Sequence, residues 1–93
     1  MRLRYTTRAI TELEGAIDWY EAQQPGLGIR FLDNVESAVV SILENPRRFP
    51  KTHDAYRRSL VRRFPFSIHF SIEEDLVIVH AIFDNRRSPK ELP

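Results

Sequence analysis

The first half of the chain has the hydrophobic pattern of two amphipathic helices. Apolar residues recur every three or four positions, the spacing of one helix face: Ile10, Leu13, Ile17 and Tyr20, and then Phe31, Val35, Ala38, Val39 and Ile42. Thr6 or Thr7 can cap the first helix, and Gln24-Pro25-Gly26 ends it, because proline disfavours helical geometry in the preceding residue. The second helix stops before Asn45-Pro46. The short connection predicts an antiparallel helical hairpin.

Alternation of polar and apolar residues predicts strands in the rest of the chain. Residues 2–6 form a short strand at a sheet edge, and residues 56–63 form another strand. Residues 64–72 alternate strictly, so one face of that strand meets the core and the other face is polar. Residues 76–83 are apolar almost throughout, as in a central strand covered on both faces. Residues 46–55 show no periodicity and are predicted to form a loop.

These elements follow one another as β-α-α-β-β-β in a chain of 93 residues, a length typical of one domain. With 42% hydrophobic residues, the chain has enough apolar material for a core. The order predicts a single α+β domain over residues 1–93. In this two-layer βααβββ arrangement, an antiparallel sheet packs against the helical hairpin.

A two-residue turn at Glu74-Asp75 would set the register of the last hairpin. It pairs Ile72 with Val77, Phe70 with Val79 and Ile68 with Ala81, all on one face. The same register places His69 opposite His80 on the other face. Two imidazoles fall short of the three or four ligands that a metal site needs, and no thiol or carboxylate is patterned beside them. The sequence therefore predicts no metal site, and we expect no cofactor.

The composition excludes several classes of protein. The chain has no cysteine, which rules out a disulfide scaffold, thiolate metal sites and a cysteine nucleophile. No apolar run approaches the roughly 20 residues of a membrane span, and the start of the chain lacks the apolar stretch of a signal peptide. We therefore expect a cytoplasmic protein without a membrane partner.

Charge is distributed unevenly along the chain, although the formal net charge is only +1. Residues 1–46 hold four basic and seven acidic residues, whereas residues 47–93 hold ten basic and six acidic ones. All but two of the 14 basic residues are arginine, whose planar guanidinium group suits phosphates and carboxylates. The second half therefore favours an anionic partner, either RNA phosphate or an acidic protein segment. Arginines that merely end strands in solvent are the alternative.

The arginines of the second half occur where the predicted strands begin or end. They are Arg57, Arg58, Arg62 and Arg63 around one strand, and Arg86 and Arg87 after the last one. If these strands are neighbours, we expect the guanidinium groups to converge, although alternation lets at most half of them meet a single ligand. Nucleophilic catalysis finds no support, because the chain has no Gly-x-Ser-x-Gly elbow and no glycine-rich phosphate loop.

An aromatic pair lies near the end of the first predicted helix. Tyr20 belongs to the apolar stripe, whereas Trp19 is offset from it by about 100°. The indole lies either at the rim of the core or in an exposed groove for a partner. The rim is the favoured position, because tryptophan is usually buried but rarely completely.

Five short strings are distinctive when they are taken together. They are Ala16-Ile17-Asp18-Trp19-Tyr20, Phe31-Leu32, Glu44-Asn45-Pro46, Arg62-Arg63-Phe64-Pro65-Phe66-Ser67-Ile68 and Val79-His80-Ala81-Ile82-Phe83-Asp84-Asn85-Arg86-Arg87-Ser88-Pro89. In this order and spacing, the chain resembles the ParE/RelE superfamily of bacterial toxins, and specifically its ParE or plasmid-stabilisation branch. The resemblance covers essentially the whole chain.

The resemblance implies a βααβββ toxin of a type II toxin–antitoxin system, neutralised by a cognate antitoxin whose C-terminal segment folds around it. ParE-type members are associated with inhibition of DNA gyrase, and RelE-type members cleave messenger RNA in the ribosomal A site. The ribonuclease branch uses basic residues on the sheet and an acid–base tyrosine or histidine near the C-terminus. Here Arg86 matches the basic position, but Ser67 stands where that branch often has arginine, and residues 89–93 contain neither tyrosine nor histidine.

The resemblance therefore favours a non-enzymatic gyrase inhibitor that causes growth arrest, has no catalytic residue and forms a hetero-oligomer with its antitoxin. The candidate target-binding residues are Arg58, Arg62, Arg86 and Arg87, and the candidate antitoxin-binding residues are Trp19, Tyr20, Arg62 and Arg63. One alternative is a ribosome-dependent mRNA endonuclease that uses Arg62 and Arg86 with His53 or His69. Another is an inactive toxin fold kept as a binding module.

The chain departs from the ParE branch just before its last arginine pair. Many relatives have a His-x-Arg-Arg string there, whereas this chain has Asp84-Asn85-Arg86-Arg87. A carboxylate two residues before Arg86 is expected to pair with a nearby arginine, which bears on any role of this segment.

Overall fold

The computed structural model describes all 93 residues, most of which form five strands and two long helices. The strands are β1 (Arg2–Tyr5), β2 (Lys51–His53), β3 (Tyr56–Leu60), β4 (Phe66–Glu73) and β5 (Leu76–Asp84), and the helices are α1 (Thr7–Gln23) and α2 (Leu27–Glu44). Short 3-10 helices occupy Pro46–Arg48 and Pro89–Glu91. The strand order is β1-β5-β4-β3-β2, with the helical hairpin on one face. The predicted α+β architecture is confirmed.

The sheet differs from the prediction at its two edges. The predicted edge strand β1 is present, but it runs parallel to β5, so the sheet is mixed rather than antiparallel throughout. At the other edge, β2 pairs with the start of β3, in a segment where a loop was predicted. All three residues of β2 are exposed, so this strand has no buried face to produce an alternating pattern.

The strand that was predicted over residues 56–63 ends at Leu60. The backbone N–H of Val61 donates to the carbonyl of Phe66 at 2.9 Å, which begins the return into β4. Arg63 lies in this turn with a φ of 69°, in the left-handed region. Arg62 and Arg63 therefore belong to the β3–β4 connection and not to a strand.

At the start of each helix, a side-chain oxygen accepts hydrogen bonds from backbone N–H groups that have no partner within the helix. The Thr6 hydroxyl oxygen accepts from the N–H of Ala9 at 3.1 Å and donates to the carbonyl of His80 at 3.1 Å, which ties the start of α1 to β5. At α2 the cap position is Gly26, which has no side chain. The carboxylate of Glu21, from α1, accepts instead from the N–H groups of Gly26 at 2.9 Å and Gly28 at 3.0 Å.

An aromatic cluster fills the core where the hairpin meets the sheet. Tyr20 is its centre, with ring centroids 5.2 Å from Phe31, 4.9 Å from Phe64 and 6.0 Å from Phe66. The hydrophobic core continues along the helix-facing side of β4 and β5. Such packing orients the end of α1 firmly against the sheet. Neither helix combines the length and the apolar character needed to cross a membrane.

The register of the β4–β5 hairpin follows the prediction only near its turn. Ile72 pairs with Val77 and Phe70 with Val79, as expected. A β-bulge then places one extra residue, His80, in β5, so that His69 pairs with Ala81 and Ile68 with Ile82. The predicted pairs Ile68–Ala81 and His69–His80 are therefore wrong, because alternation in sequence cannot show an inserted residue.

Gly28→Ala should destabilise the protein by about 1–3 kcal/mol, the usual cost of overpacking. A Cβ atom at this position would lie 2.8 Å from the Ile17 carbonyl oxygen and 3.0 Å from Glu21, so α1 and α2 would have to separate. Urea unfolding monitored by circular dichroism measures the change.

Gly15→Ala is the matched control, because a Cβ atom at Gly15 would meet nothing within 4 Å. Gly15 lies within α1, where alanine is favoured over glycine by about 0.5–1 kcal/mol. We expect this variant to be more stable than the wild type. Equal unfolding midpoints for the two variants would contradict the close helix approach.

Candidate functional site

A groove lies between α1 and the far half of β5. Because β1 pairs only as far as Val79, no strand covers the remaining edge of β5. The cavity at this edge has a volume of about 600 Å³, and its lining includes Ala16 and Trp19 from α1, Ile82 from β5 and Arg86 beyond it. We call it the Trp19–Arg86 groove. Three other surface cavities are smaller, at about 330, 300 and 160 Å³.

The indole of Trp19 is half-exposed on one side of this groove. Its ring meets that of the buried Tyr20 edge to face, with 5.1 Å between the centroids. The expected position at the core rim therefore describes one edge of the indole, and the exposed remainder is available to a partner. Trp19 therefore lies both at the rim of the core, through its contact with Tyr20, and at an exposed groove.

Arg86 is held in place at the mouth of the groove. Its Nε and Nη2 atoms donate to the two carboxylate oxygens of Asp84 at 2.9 and 2.8 Å, and its backbone N–H donates to the same side chain at 2.9 Å. The guanidinium carbon lies 5.9 Å from the Trp19 ring centroid, within cation–π range. The pairing expected from the sequence between Asp84 and an arginine is thus present.

This pairing also determines the protonation states around Arg86. Hydrogen bonding to Arg86 lowers the pKa of Asp84, and the Asp84 carboxylate in turn raises the pKa of Arg86. Burial raises the pKa of Tyr20, against the opposing effect of Arg86. Near neutral pH the groove therefore presents a fixed cation beside a neutral, buried phenol. Neither group is suited to accept a proton there.

Arg87 is the second arginine of the groove, and it is also paired within the chain. Its Nη2 atom donates to a carboxylate oxygen of Glu91 at 2.8 Å. The backbone carbonyl of Glu91 accepts from the Arg8 guanidinium at the start of α1. Because both arginines keep free N–H donors after these bonds, each can still meet an anion.

The exposed edge of β5 is closed by a residue that sequence reasoning missed. The N–H of Ile82 donates to Glu12 Oε1 at 3.1 Å, and the other oxygen of this carboxylate accepts from Arg8 at 3.2 Å. Glu12 thereby takes the place of a neighbouring strand. No local sequence pattern predicts this role of Glu12, because its partner Ile82 lies in a distant part of the chain.

The other candidate arginines lie elsewhere. Arg58 pairs with His69 across β3 and β4, on the sheet face away from the helices. Arg62 and Arg63 line two further cavities beside α2. The expectation of one patch is therefore wrong for these three residues, since strand alternation turns Arg58 away and β3 ends before the other two. Trp19, Tyr20, Arg86 and Arg87 are brought together.

The imidazole groups are not available beside the groove. His69 is only 3% exposed, and its Nε2 lies 2.8 Å from the Ser67 hydroxyl oxygen, which itself donates to Asn85 Oδ1 at 2.7 Å. Because the one hydroxyl proton is donated to Asn85, the imidazole Nε2–H is the donor to Ser67. Burial, with Arg58 and Arg8 nearby, lowers the pKa of His69 to about 4.

The remaining two histidines, His80 and His53, also lie outside the groove. His80 lies 2.7 Å from the Ser71 hydroxyl through Nε2, and its ring meets that of Tyr56 edge to face at 4.9 Å. Burial lowers the pKa of His80. His53 is exposed on β2, and its Nε2 lies 3.1 Å from a carboxylate oxygen of Asp54. None of the three lines the Trp19–Arg86 groove.

Comparison with known proteins gives a consistent result. A family model described as "ParE toxin of type II toxin-antitoxin system, parDE" matches residues 3–89. Among solved structures, the chain is similar to one described as the chromosomal ParDE TA system from P. aeruginosa. The TM-score is 0.80 at 19% sequence identity, over 90% of this chain and 95% of the other. A search of curated proteins found no significant match.

The unfolding free energy should fall as the pH is lowered from about 6.5 toward 4. The folded-state pKa of His69 is about 4 against an ordinary value of 6.5, so the unfolded chain binds this proton more readily across that window. The stabilising effect is complete above pH 6.5 and is lost toward pH 4, by up to about 3 kcal/mol at roughly 1.4 kcal/mol per pKa unit. Urea titrations at several pH values measure it.

His69→Gln supplies the control, because a glutamine amide can donate to Ser67 but does not titrate. We expect its stability to depend less steeply on pH in the same window. Asp75 and Asp84, whose pKa values are lowered by arginine partners, contribute alike in both proteins and lose their effect at lower pH. Identical slopes for the two proteins would refute the assignment to His69.

Proposed function

Because the chain belongs to the ParE toxin family of type II toxin–antitoxin systems, we propose that it inhibits DNA gyrase in the cytoplasm. We further propose that a cognate antitoxin neutralises it within a hetero-oligomer. The observation that carries the proposal, beyond the family, is the Trp19–Arg86 groove. There an exposed indole and two oriented cations lie together, and the two carboxylates of the groove, Glu12 and Asp84, already accept hydrogen bonds from Arg8 and Arg86.

The groove has the chemistry of a site for an amphipathic protein segment. An apolar residue of the partner would cover the exposed face of Trp19, and acidic residues would reach the free donors of Arg86 and Arg87. The edge of β5 beyond Val79 lies alongside without a neighbouring strand, and its Ile82 N–H is bonded to Glu12. We assign the antitoxin to this groove, with Trp19 and Tyr20 supplying the apolar contact.

The inhibition of gyrase is proposed as binding and not as catalysis. Arg86 and Arg87 are the proposed target contacts in the groove, and Arg58 is a further cation on the opposite sheet face. Antitoxin and target would then compete for Arg86 and Arg87, which gives neutralisation a simple physical basis. Cleavage of RNA would need a base for the 2′-hydroxyl, and burial of His69 argues against that alternative.

Trp19→Ala should weaken binding of the antitoxin encoded beside this chain by about tenfold to a hundredfold, since a buried interface tryptophan contributes roughly 1.4–3 kcal/mol. Isothermal titration calorimetry on the purified proteins measures the dissociation constant. Ile29→Ala is the control, because Ile29 is a comparably exposed apolar residue on α2 outside the groove. Unchanged affinity of Trp19→Ala would remove the antitoxin from this groove.

Purified chain should inhibit DNA supercoiling by purified gyrase at micromolar concentration, and Arg86→Ala should reduce that inhibition by about tenfold through the loss of a charge-assisted contact. Lys90→Ala removes an exposed cation outside the groove and should leave inhibition unchanged. Full gyrase activity at micromolar chain would refute the proposed target. New messenger RNA ends on stalled ribosomes would instead indicate the endonuclease alternative.

A further inference from the structure

A small cavity lies where β2 and β3 meet the 3-10 helix that follows α2. Its volume is about 160 Å³, and it is lined by Arg47, Lys51, Ala55, Arg57 and Ile72. We call it the Arg57 pocket. It contains three cationic side chains and no carboxylate, and none of the three forms an ion pair within the chain. The pocket shares no residue with the Trp19–Arg86 groove or with the candidate target-binding and antitoxin-binding residues.

The guanidinium group of Arg57 is held in a fixed direction. Its Nη1 atom donates to the backbone carbonyls of Arg47 at 3.0 Å and Phe49 at 2.7 Å, and the residue is half-buried. These two bonds use both N–H groups of Nη1, whereas those of Nε and Nη2 have no acceptor within the chain. Because the group is planar, the remaining donors are oriented before a ligand arrives, which lowers the cost of binding.

Two of the three cations oppose each other across the sheet. Lys51 of β2 pairs directly with Arg57 of β3. Paired residues of antiparallel strands lie on the same face, and like charges in such a pair destabilise the sheet. On its other side Arg57 pairs with Phe70, a core residue, so the neighbouring strand supplies no compensating carboxylate. An anion in the pocket would replace this repulsion by attraction to both cations and to Arg47.

We propose that the Arg57 pocket binds one phosphate group, carried by a free phosphate ion or by a small phosphate monoester. Pockets for whole small molecules measure roughly 300–1,000 Å³, so this cavity suits a single anionic group. A phosphate monoester carries about −1.5 to −2 charges near neutral pH, whereas each phosphodiester of a nucleic acid carries one. Three cations around one small cavity match the more highly charged group, and the guanidinium fork matches its oxygens.

The proposal does not depend on gyrase inhibition or on antitoxin binding, and its test uses neither. The probe is inorganic phosphate, titrated near neutral pH into the purified chain at constant ionic strength, with sodium chloride as the balancing salt. Two-dimensional amide NMR spectra locate the binding and give its dissociation constant. We expect the amides of Lys51, Ala55 and Arg57 to shift along one saturable curve, while those of the Trp19–Arg86 groove stay in place.

The variants keep Arg57, because its side chain also holds the carbonyls of Arg47 and Phe49. Lys51→Gln and Arg47→Gln should each raise the dissociation constant by about tenfold, since each removes one charge-assisted contact. Lys90→Gln is the matched control, because it removes an exposed cation outside the pocket. An unchanged dissociation constant in Lys51→Gln would overturn the proposal. An equal rise in Lys90→Gln would also overturn it, because the effect would then reflect overall charge.

Thermal unfolding gives a second readout. Without phosphate, Lys51→Gln should unfold at a temperature no lower than the wild type, because the repulsion from Arg57 is removed. Phosphate at ten times its dissociation constant should raise the midpoint of the wild type by roughly 5–10 °C, and that of Lys51→Gln by much less. Phosphate also stabilises folded proteins in general, so the two proteins are compared at equal concentrations. A lower midpoint for Lys51→Gln without phosphate would overturn the like-charge basis of the site.

Two further ligands distinguish the source of the phosphate group. Glycerol 3-phosphate is a monoester, and an oligothymidylate without terminal phosphates contains only diesters. Binding of glycerol 3-phosphate at least as tight as that of inorganic phosphate would assign the pocket to a monoester, and weaker binding would assign it to the free ion. Tighter binding of the oligothymidylate per phosphate, with the same loss in Lys51→Gln, would replace the proposal by a nucleic acid site. Shifts that do not saturate with any of the three ligands would refute the site.

Discussion

The departure of the chain from the sheet at Thr6 determines the shape of the main groove. The hydroxyl of Thr6 caps α1 and also binds the carbonyl of His80, so the helix must turn away from the sheet at this point. β5 continues to Asp84 without a neighbouring strand on that side. α1 then passes over the uncovered edge, and the space between them is the Trp19–Arg86 groove. A longer β1 would fill this space with a strand.

The ion pairs divide the arginines into two groups with different physical roles. Arg86 is oriented by Asp84 and Trp19, so its direction is set before any ligand arrives. Arg30, Arg48, Arg62 and Arg63, beside α2, form no ion pair within the chain. An oriented guanidinium group favours specific recognition at the groove, whereas uncompensated charge favours long-range attraction of anions. Composition alone describes both groups as the same residue type.

Much of the fold could be predicted from the sequence, because helices and buried strands each leave a periodic pattern. The stripe around Tyr20 and the two-residue turn at Glu74-Asp75 are examples. The parallel pairing of β1 with β5 could not be predicted, since alternation predicts a strand but not its partner. Of the site, Trp19 and the Asp84–Arg86 pair were predictable as local features. The role of Glu12 and the separation of Arg62 from Arg86 were not, because each depends on contacts between distant segments.

The extra residue at His80 also decides which side of the molecule each later residue faces. Beyond it, Ile82 and Asp84 face the helices, whereas Phe83 stands on the opposite side near His69 and Asn85 reaches Ser67 there. Regular pairing of His80 with His69, without the bulge, would exchange the two sets. Phe83 would then occupy the place of the carboxylate that holds Arg86, and Asp84 would be turned toward the buried imidazole. The bulge at His80 thus keeps the Asp84–Arg86 pair and the hydrogen bonds of His69, Ser67 and Asn85 on separate faces of the sheet.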